Sequence, residues 1–393
     1  MSKNIYIAGA ARTPMGGFQG ELSSLTAPQL GSYAIKAALE RSGIKSDSIN
    51  EVLMGCVLPA GLGQAPARQA SIGAGIPIGV GCTTVNKVCG SGLKSVMLGY
   101  DSILAGHNEA VIAGGMESMS NAPYLLEKAR GGYRLGHGKI ADSMFLDGLE
   151  DAYDRGRLMG TFAEDTAQHY QFTRAQQDEF ALRSLDRARK AGMDGSFSRE
   201  IVSIVMDNKK EKITISSDEQ PRNAKPEKIP TLKPAFRDGG TVTAANSSSI
   251  SDGAAAVIVC SEAQMQKSGA KPLARIVAHA THAQEPAWFT TAPVFAIKKV
   301  AEKAGWNLKD VDLFEINEAF AVVTMAAQHE LNLPNEKVNI RGGACAMGHP
   351  IGASGARVLV TLIHALQDMK LKRGIASLCI GGGEAVAMAI ETI

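Results

Sequence analysis

The feature that most constrains the fold is an internal repeat. Ala34 to Gly55, AIKAALERSGIKSDSINEVLMG, runs in register with Ala296 to Asn317, AIKKVAEKAGWNLKDVDLFEIN, at an offset of 262 (296 − 34). The Ala-Ile-Lys start, Gly43 with Gly305, and the apolar run that follows all coincide. Each copy reads as an amphipathic helix, a short turn and a strand. A second pair follows. Ser91-Gly92-Leu93-Lys94 opens a helix ending near Gly106, and AVIAGGMES then makes a strand and a glycine turn. Ser354-Gly355-Ala356-Arg357 opens a helix ending near Met369, and ASLCIGGGE does the same. The opening strands NIYIAGA and LARIVAHA also match. Two halves, about 4–118 and 272–391, thus share one βαβαβ pattern. Strands alternating with helices imply an α/β fold with parallel sheets covered by helices on both faces.

Residues 119–271 have a different texture and read as an insertion between an N-terminal half over 1–118 and a C-terminal half over 272–393. They hold one clean helix, expected over Thr173–Ala191. Thr173 and Gln176 form a capping box, Phe180, Ala181, Leu185 and Ala188 make the buried face, and Gly192 is expected to stop it. Between Lys209 and Arg237 the chain carries eight Lys/Arg against four Asp/Glu. A solvated loop explains this. So does a lid whose basic residues meet a phosphate-bearing substrate, since long insertions often cover active sites.

Composition removes other classes. Hydrophobic residues are 45% and charged residues 20% of 393, enough for a large core. The net charge of +2 gives no reason to invoke nucleic acid or a membrane surface. Six cysteines, none at C-x-x-C spacing, make neither a disulfide scaffold nor a zinc site, and point to reduced thiols and a cytoplasmic location. MSKNIYIAGAARTP has no signal-peptide pattern, and no apolar run approaches the ~18 residues of a membrane helix.

Four stretches carry chemistry. In VNKVCGSGLKS (Val85 to Ser95), Cys89 stands where a strand gives way to a helix, among small residues. The helix N-terminus and free backbone N–H groups favour a thiolate there, although a core cysteine fits equally well. In GGACAMGHPIGASGAR (Gly342 to Arg357), His349 is fixed between Gly348 and Pro350. It suits a general base acting on a thiol, or a turn cap. In EINEAFA (Glu315 to Ala321), Asn317 and Glu318 end an apolar strand. Polar groups at a strand's C-terminal end face the ligand crevice of α/β proteins, while Asn is also a good helix cap. In SLCIGGGEA (Ser377 to Ala385), Cys379 precedes three glycines whose N–H groups can bind an oxyanion. The repeat places these segments at equivalent ends of two halves, so all four can converge on one crevice.

VNKVCGSG, NEAFA, GGACAMGHPIGASGAR and CIGGGEA, in that order, resemble the thiolase family along essentially the whole chain, and most closely its biosynthetic acetyl-CoA acetyltransferases. The resemblance implies a thiolase fold in α/β/α/β/α layers with an inserted loop domain. It implies condensation of two acetyl-CoA to acetoacetyl-CoA and CoA, with coenzyme A as substrate and product, no required cofactor and no metal. Cys89 resembles the nucleophile, His349 its base and Cys379 the base for the α-proton. Asn317 would hold a water that forms one oxyanion hole with His349 Nε2. The N–H groups of Cys89 and Gly381 would form the other, and Glu318 would position the first site. Leu149, Met159, Arg222, Ala235, Phe236, Ser248 and Phe320 match positions on the CoA and acyl path. A homotetramer built from dimers is implied. The sequence departs from the family pattern at Ala245, Ser249, Arg341, Cys345, Met347 and Trp288-Phe289. A degradative 3-ketoacyl-CoA thiolase would use the same four catalytic residues. A ketoacyl synthase has no use for Cys379, and a non-catalytic acyl-CoA or lipid carrier would lack these groups.

Overall fold

The structure is a computed structural model and describes residues 4–207 and 212–393. Its N-terminal half begins with β1 (Ile5–Arg12), α1 (Ala27–Ser42), β2 (Glu51–Gly55), α2 (Pro66–Gly73), β3 (Gly81–Val85), α3 (Ser91–Leu104) and β4 (Ala110–Ser118). Thr26 and Gln29 close a capping box on α1, and Gly43 ends it in the left-handed region. The inserted stretch holds α4 (Met159–Tyr170) and α5 (Arg174–Met193), and leads into β5 (Ser251–Ser261). The C-terminal half follows as β6 (Ala274–Ala283), α6 (Ala292–Ala304), β7 (Leu313–Ile316), α7 (Ala321–Leu331), α8 (Ser354–Met369), β8 (Arg373–Ile380) and β9 (Glu384–Thr392).

The repeat is present in space. The strands run in the order β7-β8-β9-β6-β1-β5-β4-β2-β3. The two halves meet at a short antiparallel pairing of Tyr6 with Arg275 and Ile7 with Ala274. Within each half the expectation of a parallel sheet is corrected. Only β2–β3, β2–β4 and β7–β8 are parallel, while β1–β5, β4–β5, β6–β9 and β8–β9 are antiparallel. The cause is a reversal at the last strand of each half. β8 returns into β9 through Gly381 to Gly383, of which Gly382 and Gly383 have φ of 90° and 88°. A Cβ on Gly383 would lie 2.4 Å from the Gln284 carbonyl oxygen, so only glycine fits this turn. In the N-terminal half the equivalent strands β4 and β5 are joined by residues 119–250. The cover is thus an elaborated hairpin loop, and β5 belongs to the N-terminal sheet although it falls within the 119–271 stretch.

Strand alternation produces five layers. Ala255, Val257 and Val259 of β5 point to one core with Val386, Met388 and Ile390 of β9. That core is filled by α3 and α8 through Leu93, Val96, Leu359 and Leu362. The opposite faces pack on outer helices: Ala256 and Ile258 with α1 and α2, and Ala385, Ala387 and Ala389 with α6. Helix, sheet, paired helices, sheet and helix follow in turn, with side chains in layers because successive Cβ atoms alternate. In the insertion, Thr173 and Gln176 cap α5 as the residue types require. The helix runs through Gly192 to Met193, so that glycine does not stop it. Phe180, Ala181, Leu185 and Ala188 are buried. No helix among the described residues is long and apolar enough to cross a membrane.

Candidate active site

Cys89 sits on a tightly held turn between β3 and α3. Val88 before it has a φ of 45°, a conformation that a β-branched residue rarely adopts. The turn is over-determined. Val88 N–H donates to Asn86 Oδ1 at 3.0 Å, Lys87 N–H donates to Ser91 Oγ at 2.8 Å, and Ser91 Oγ donates to the Val88 carbonyl at 2.6 Å. Lys87 also pairs with Glu384 of β9, tying the turn to the other half. The sulfur rests against the cluster of Val57, Leu58, Met144 and Ile351. Burial pushes the Cys89 thiol up to about 11, although the N–H groups of Gly381 and Cys89 itself face the sulfur and pull the other way. The thiolate expected from the helix terminus is therefore not the resting form, because desolvation outweighs the dipole.

His349 follows Gly348, whose φ is 99° and whose Cβ would lie 2.0 Å from Ser251 Oγ. His349 N–H donates to the Ser249 carbonyl at 3.1 Å. Ser354 Oγ donates its one proton to the Pro350 carbonyl at 3.0 Å and lies 2.5 Å from His349 Nδ1. The hydroxyl is left to accept from Nδ1–H, which leaves Nε2 unprotonated, with only Asn317 Nδ2 at 3.5 Å. Burial and then the Arg357 charge push the imidazole down to about 3, so it rests neutral and ready to take a proton. Ser354 was not singled out from the sequence; its signal was a serine at a helix start, five residues beyond the histidine.

Asn317 directly follows β7, fully buried, with Nδ2 3.5 Å from both ring nitrogens of His349. Its Oδ1 is buried without a partner among the described residues, as an oxygen reserved for a bound water would be. Glu318 accepts from Ser184 Oγ at 2.7 Å, Asn339 Nδ2 at 2.9 Å and Cys345 N–H at 3.1 Å. It thereby pins the strand end to the segment carrying His349, with burial raising its carboxyl. Cys379 is fully buried in the cluster of Phe162, Phe289, Phe320 and Met159. Burial, and then the neighbouring Cys89, push its thiol well up.

These groups surround one apolar cavity of about 360 Å³. Cys89, His349, Gly381, Leu149, Met159, Ala235, Phe236, Ser248 and Phe320 all line it, with Phe289 and Ile351. Asn317 and Cys379 stand behind that surface. Arg222 is not brought there: it pairs with Glu21 at 2.6 Å and lines a separate surface cavity. Arg237 pairs with Asp165. Lys209 and Lys210 lie outside the described residues. Of the departures, Arg341 reaches the Ser196 carbonyl at 3.1 Å and Asp368 of α8, Met347 is core, and Cys345 is held against the Glu318 backbone with its thiol pushed well up by burial. Trp288 points away from the cavity, edge-on to His169 at 5.1 Å, while Phe289 walls it.

A half-buried thiol, a neutral histidine with an unprotonated Nε2, a second, buried thiol and backbone N–H groups aimed at the first sulfur make an arrangement of the class that suits acyl transfer through a thioester. The family is equally plain. Residues 5–263 match the model of the thiolase N-terminal domain and residues 270–392 that of the thiolase C-terminal domain, and the chain belongs to the thiolase family. It is 49% identical over 393 residues to the acetyl-CoA acetyltransferase of Escherichia coli, covering 100% of both chains. It is 48% identical over 390 residues to that of Cupriavidus necator, covering 99% of each. The crystal structure of the Bacillus anthracis acetyl-CoA acetyltransferase superposes with a TM-score of 0.97 at 41% identity, over 100% of this chain and 99% of that one. A thiolase from Ascaris suum in complex with coenzyme A gives 0.94 at 42% identity, over 100% of both chains.

Proposed function

We propose that the protein is an acetyl-CoA C-acetyltransferase that joins two acetyl-CoA into acetoacetyl-CoA and CoA, reversibly. In the first step His349 Nε2 takes and keeps the Cys89 proton, the sulfur attacks the acetyl thioester, and CoA leaves as Cys379 gives its proton to the departing sulfur, which makes the Cys379 thiolate. A thioester replaces a thioester, so the step runs both ways. In the second step the Cys379 thiolate takes a proton from the methyl of a second acetyl-CoA. The carbanion attacks the acetyl carbonyl on Cys89, whose sulfur leaves and takes back the proton from His349. A thiol pushed far up by burial makes a strong base once ionised, which suits a weakly acidic C–H. The N–H groups of Cys89 and Gly381 hold one developing oxyanion, and protonated His349 with a water on Asn317 the other. The N-terminal half supplies the nucleophile, residues 119–250 the cover, and the C-terminal half the bases.

The observation that carries the reading is the pair of N–H groups, from opposite halves, aimed at a thiol in a cavity shared with a neutral histidine. A cytoplasmic homotetramer completes it. Six free cysteines fit a reducing compartment, and an arm with Leu135 99%, Tyr124 68% and Ile140 66% exposed fits self-association. The test is acylation by acetyl-CoA read by mass spectrometry. Wild type should carry acetyl on Cys89, and Cys89→Ala should lose both directions of reaction. Cys379→Ser should still be acetylated but condense ~10²–10⁴-fold more slowly. Acetyl found on Cys379 or Cys345 would overturn the assignment.

A further inference from the structure

Glu117 has no part in those acyl-transfer steps. It stands next to the last residue of β4 and is wholly buried. Its oxygens accept from the N–H groups of Val57 at 2.9 Å, Leu58 at 3.2 Å and Gly352 at 2.9 Å, with Cys56 Sγ at 3.5 Å. None of these partners is a cation, so the carboxylate is held only by backbone dipoles and one thiol. Val57 and Leu58 belong to the bed on which Cys89 rests. Gly352 is the third residue after His349, on the same turn. One side chain of the N-terminal half therefore grips both the bed of the nucleophile and the turn of the base.

The grip leaves no slack. A Cβ on Gly115 would lie 2.0 Å from the Gly352 carbonyl oxygen, and one on Gly55 2.8 Å from it. A Cβ on Gly352 itself would lie 2.6 Å from Glu117 Oε2. The Gly352 turn is sunk into a glycine-lined socket and fastened there by one anion. We propose that Glu117 is a positioning residue that sets the separation of Cys89 and His349 across the boundary between the halves, and the ionisation of Cys89. This rests on the acyl-transfer reading above.

Its charge also acts directly. The Glu117 carboxylate is among the groups raising the Cys89 thiol. Burial pushes Glu117 itself up to about 7, against the pull of its three N–H donors. The titratable groups around it include Cys56, Cys89, His349 and, on the adjoining β5, Asp252, with Lys94 of α3 and Arg357 of α8 on the packed helices. Cys56 is driven far up by burial and His349 down to about 3, so neither changes charge near neutrality. As pH falls through the Glu117 transition the negative charge disappears, and the Cys89 thiol becomes easier to ionise. The logarithm of the Cys89 alkylation rate should therefore rise with pH at unit slope, except for a shallower segment around neutrality.

The test is iodoacetamide alkylation of Cys89 from pH 5 to 9, with single-turnover acetylation by acetyl-CoA measured beside it. Wild type should show the shallow segment. Glu117→Gln should abolish it and raise alkylation above neutrality. The same variant should slow acetylation by roughly ten- to hundredfold, since the amide leaves a Gly352 or Leu58 donor unpaired and the turn misplaced. A merely structural role would not move the two rates in opposite directions. Unit slope throughout in wild type would overturn the proposal, even if the variant failed to fold. So would a shallow segment that persists in Glu117→Gln, which would assign it to Asp252. Alkylation does not use acetyl-CoA, so a wild type that cannot be acetylated would reject the function and leave the alkylation test standing.

Discussion

A single hydroxyl fixes which nitrogen of His349 can act. Ser354 Oγ spends its proton on Pro350 and lies 2.5 Å from His349 Nδ1, so Nε2 is the base. Ser354→Ala leaves a buried Nδ1–H without its acceptor and lets the ring turn or change tautomer. We expect kcat for acetoacetyl-CoA thiolysis to fall roughly 10²-fold, the scale of a small misplacement in a site. KM should move much less, because the hydroxyl is behind the ring and not on the cavity wall. Steady-state kinetics decide this, and an unchanged kcat would show that the packing around His349 holds the ring without help. At this scale the sequence is most legible where chemistry and backbone demand the same residue, as at Cys89 and His349. It is least legible where a partner is an ordinary residue. Ser354 reads only as a helix start and Glu117 only as the end of a strand until the fold brings each to its bond.

The β8–β9 turn shows how one element serves both fold and site. Gly381 supplies an N–H to the Cys89 sulfur, and Gly382 and Gly383 hold it there with left-handed backbone. Gly383→Ala would put a Cβ 2.4 Å from the Gln284 carbonyl oxygen at a φ of 88°. We expect a loss of about 1–3 kcal/mol of stability, read as a shift of the urea midpoint, together with a fall in kcat. A variant as stable and active as wild type would mean that the turn has room the geometry does not show. The same three glycines carried information about topology. Strand, three glycines and strand is a hairpin signal, and it forbids the all-parallel sheet that alternating strands and helices imply. The repeat was legible because both copies kept the same helix and strand periods. The boundary of the cover was not, because β5 follows some 130 residues of insertion while its partner β9 follows a turn. The loop positions fared by the same logic. Leu149, Met159, Ala235 and Phe236 reach the cavity, but Arg222 goes to Glu21, since a long polar side chain finds its partner only in three dimensions.

In the whole molecule, the insertion at the β4–β5 end and the elements of the C-terminal half close over the same cavity, and this sets its length. Met159 and Phe236 come from the cover, and Phe289 and Phe320 from the C-terminal half. The aromatic walls brace one another: Phe236 meets Phe320 edge-on at 6.0 Å, and Phe162 meets Phe289 at 6.2 Å. Arg157 caps Phe162 from outside at 3.8 Å. Such a wall does not yield to an extra methylene without off-rotamer strain, which costs ~1–3 kcal/mol. At about 1.4 kcal/mol per factor of ten, one or two unaccommodated carbons lower the rate substantially. We therefore expect acetoacetyl-CoA to be cleaved at a far higher kcat/KM than 3-ketohexanoyl-CoA or longer substrates, measured across C4, C6, C8 and C16. Phe289→Ala should raise the C6 to C4 ratio, because that ring is 3% exposed and its removal opens space against Cys379 without touching Cys89 or His349. A flat or rising profile in wild type would reject the biosynthetic reading and leave a degradative 3-ketoacyl-CoA thiolase. A C6 to C4 ratio unmoved by Phe289→Ala would place the chain-length limit at Leu149 and Met159, on the cover.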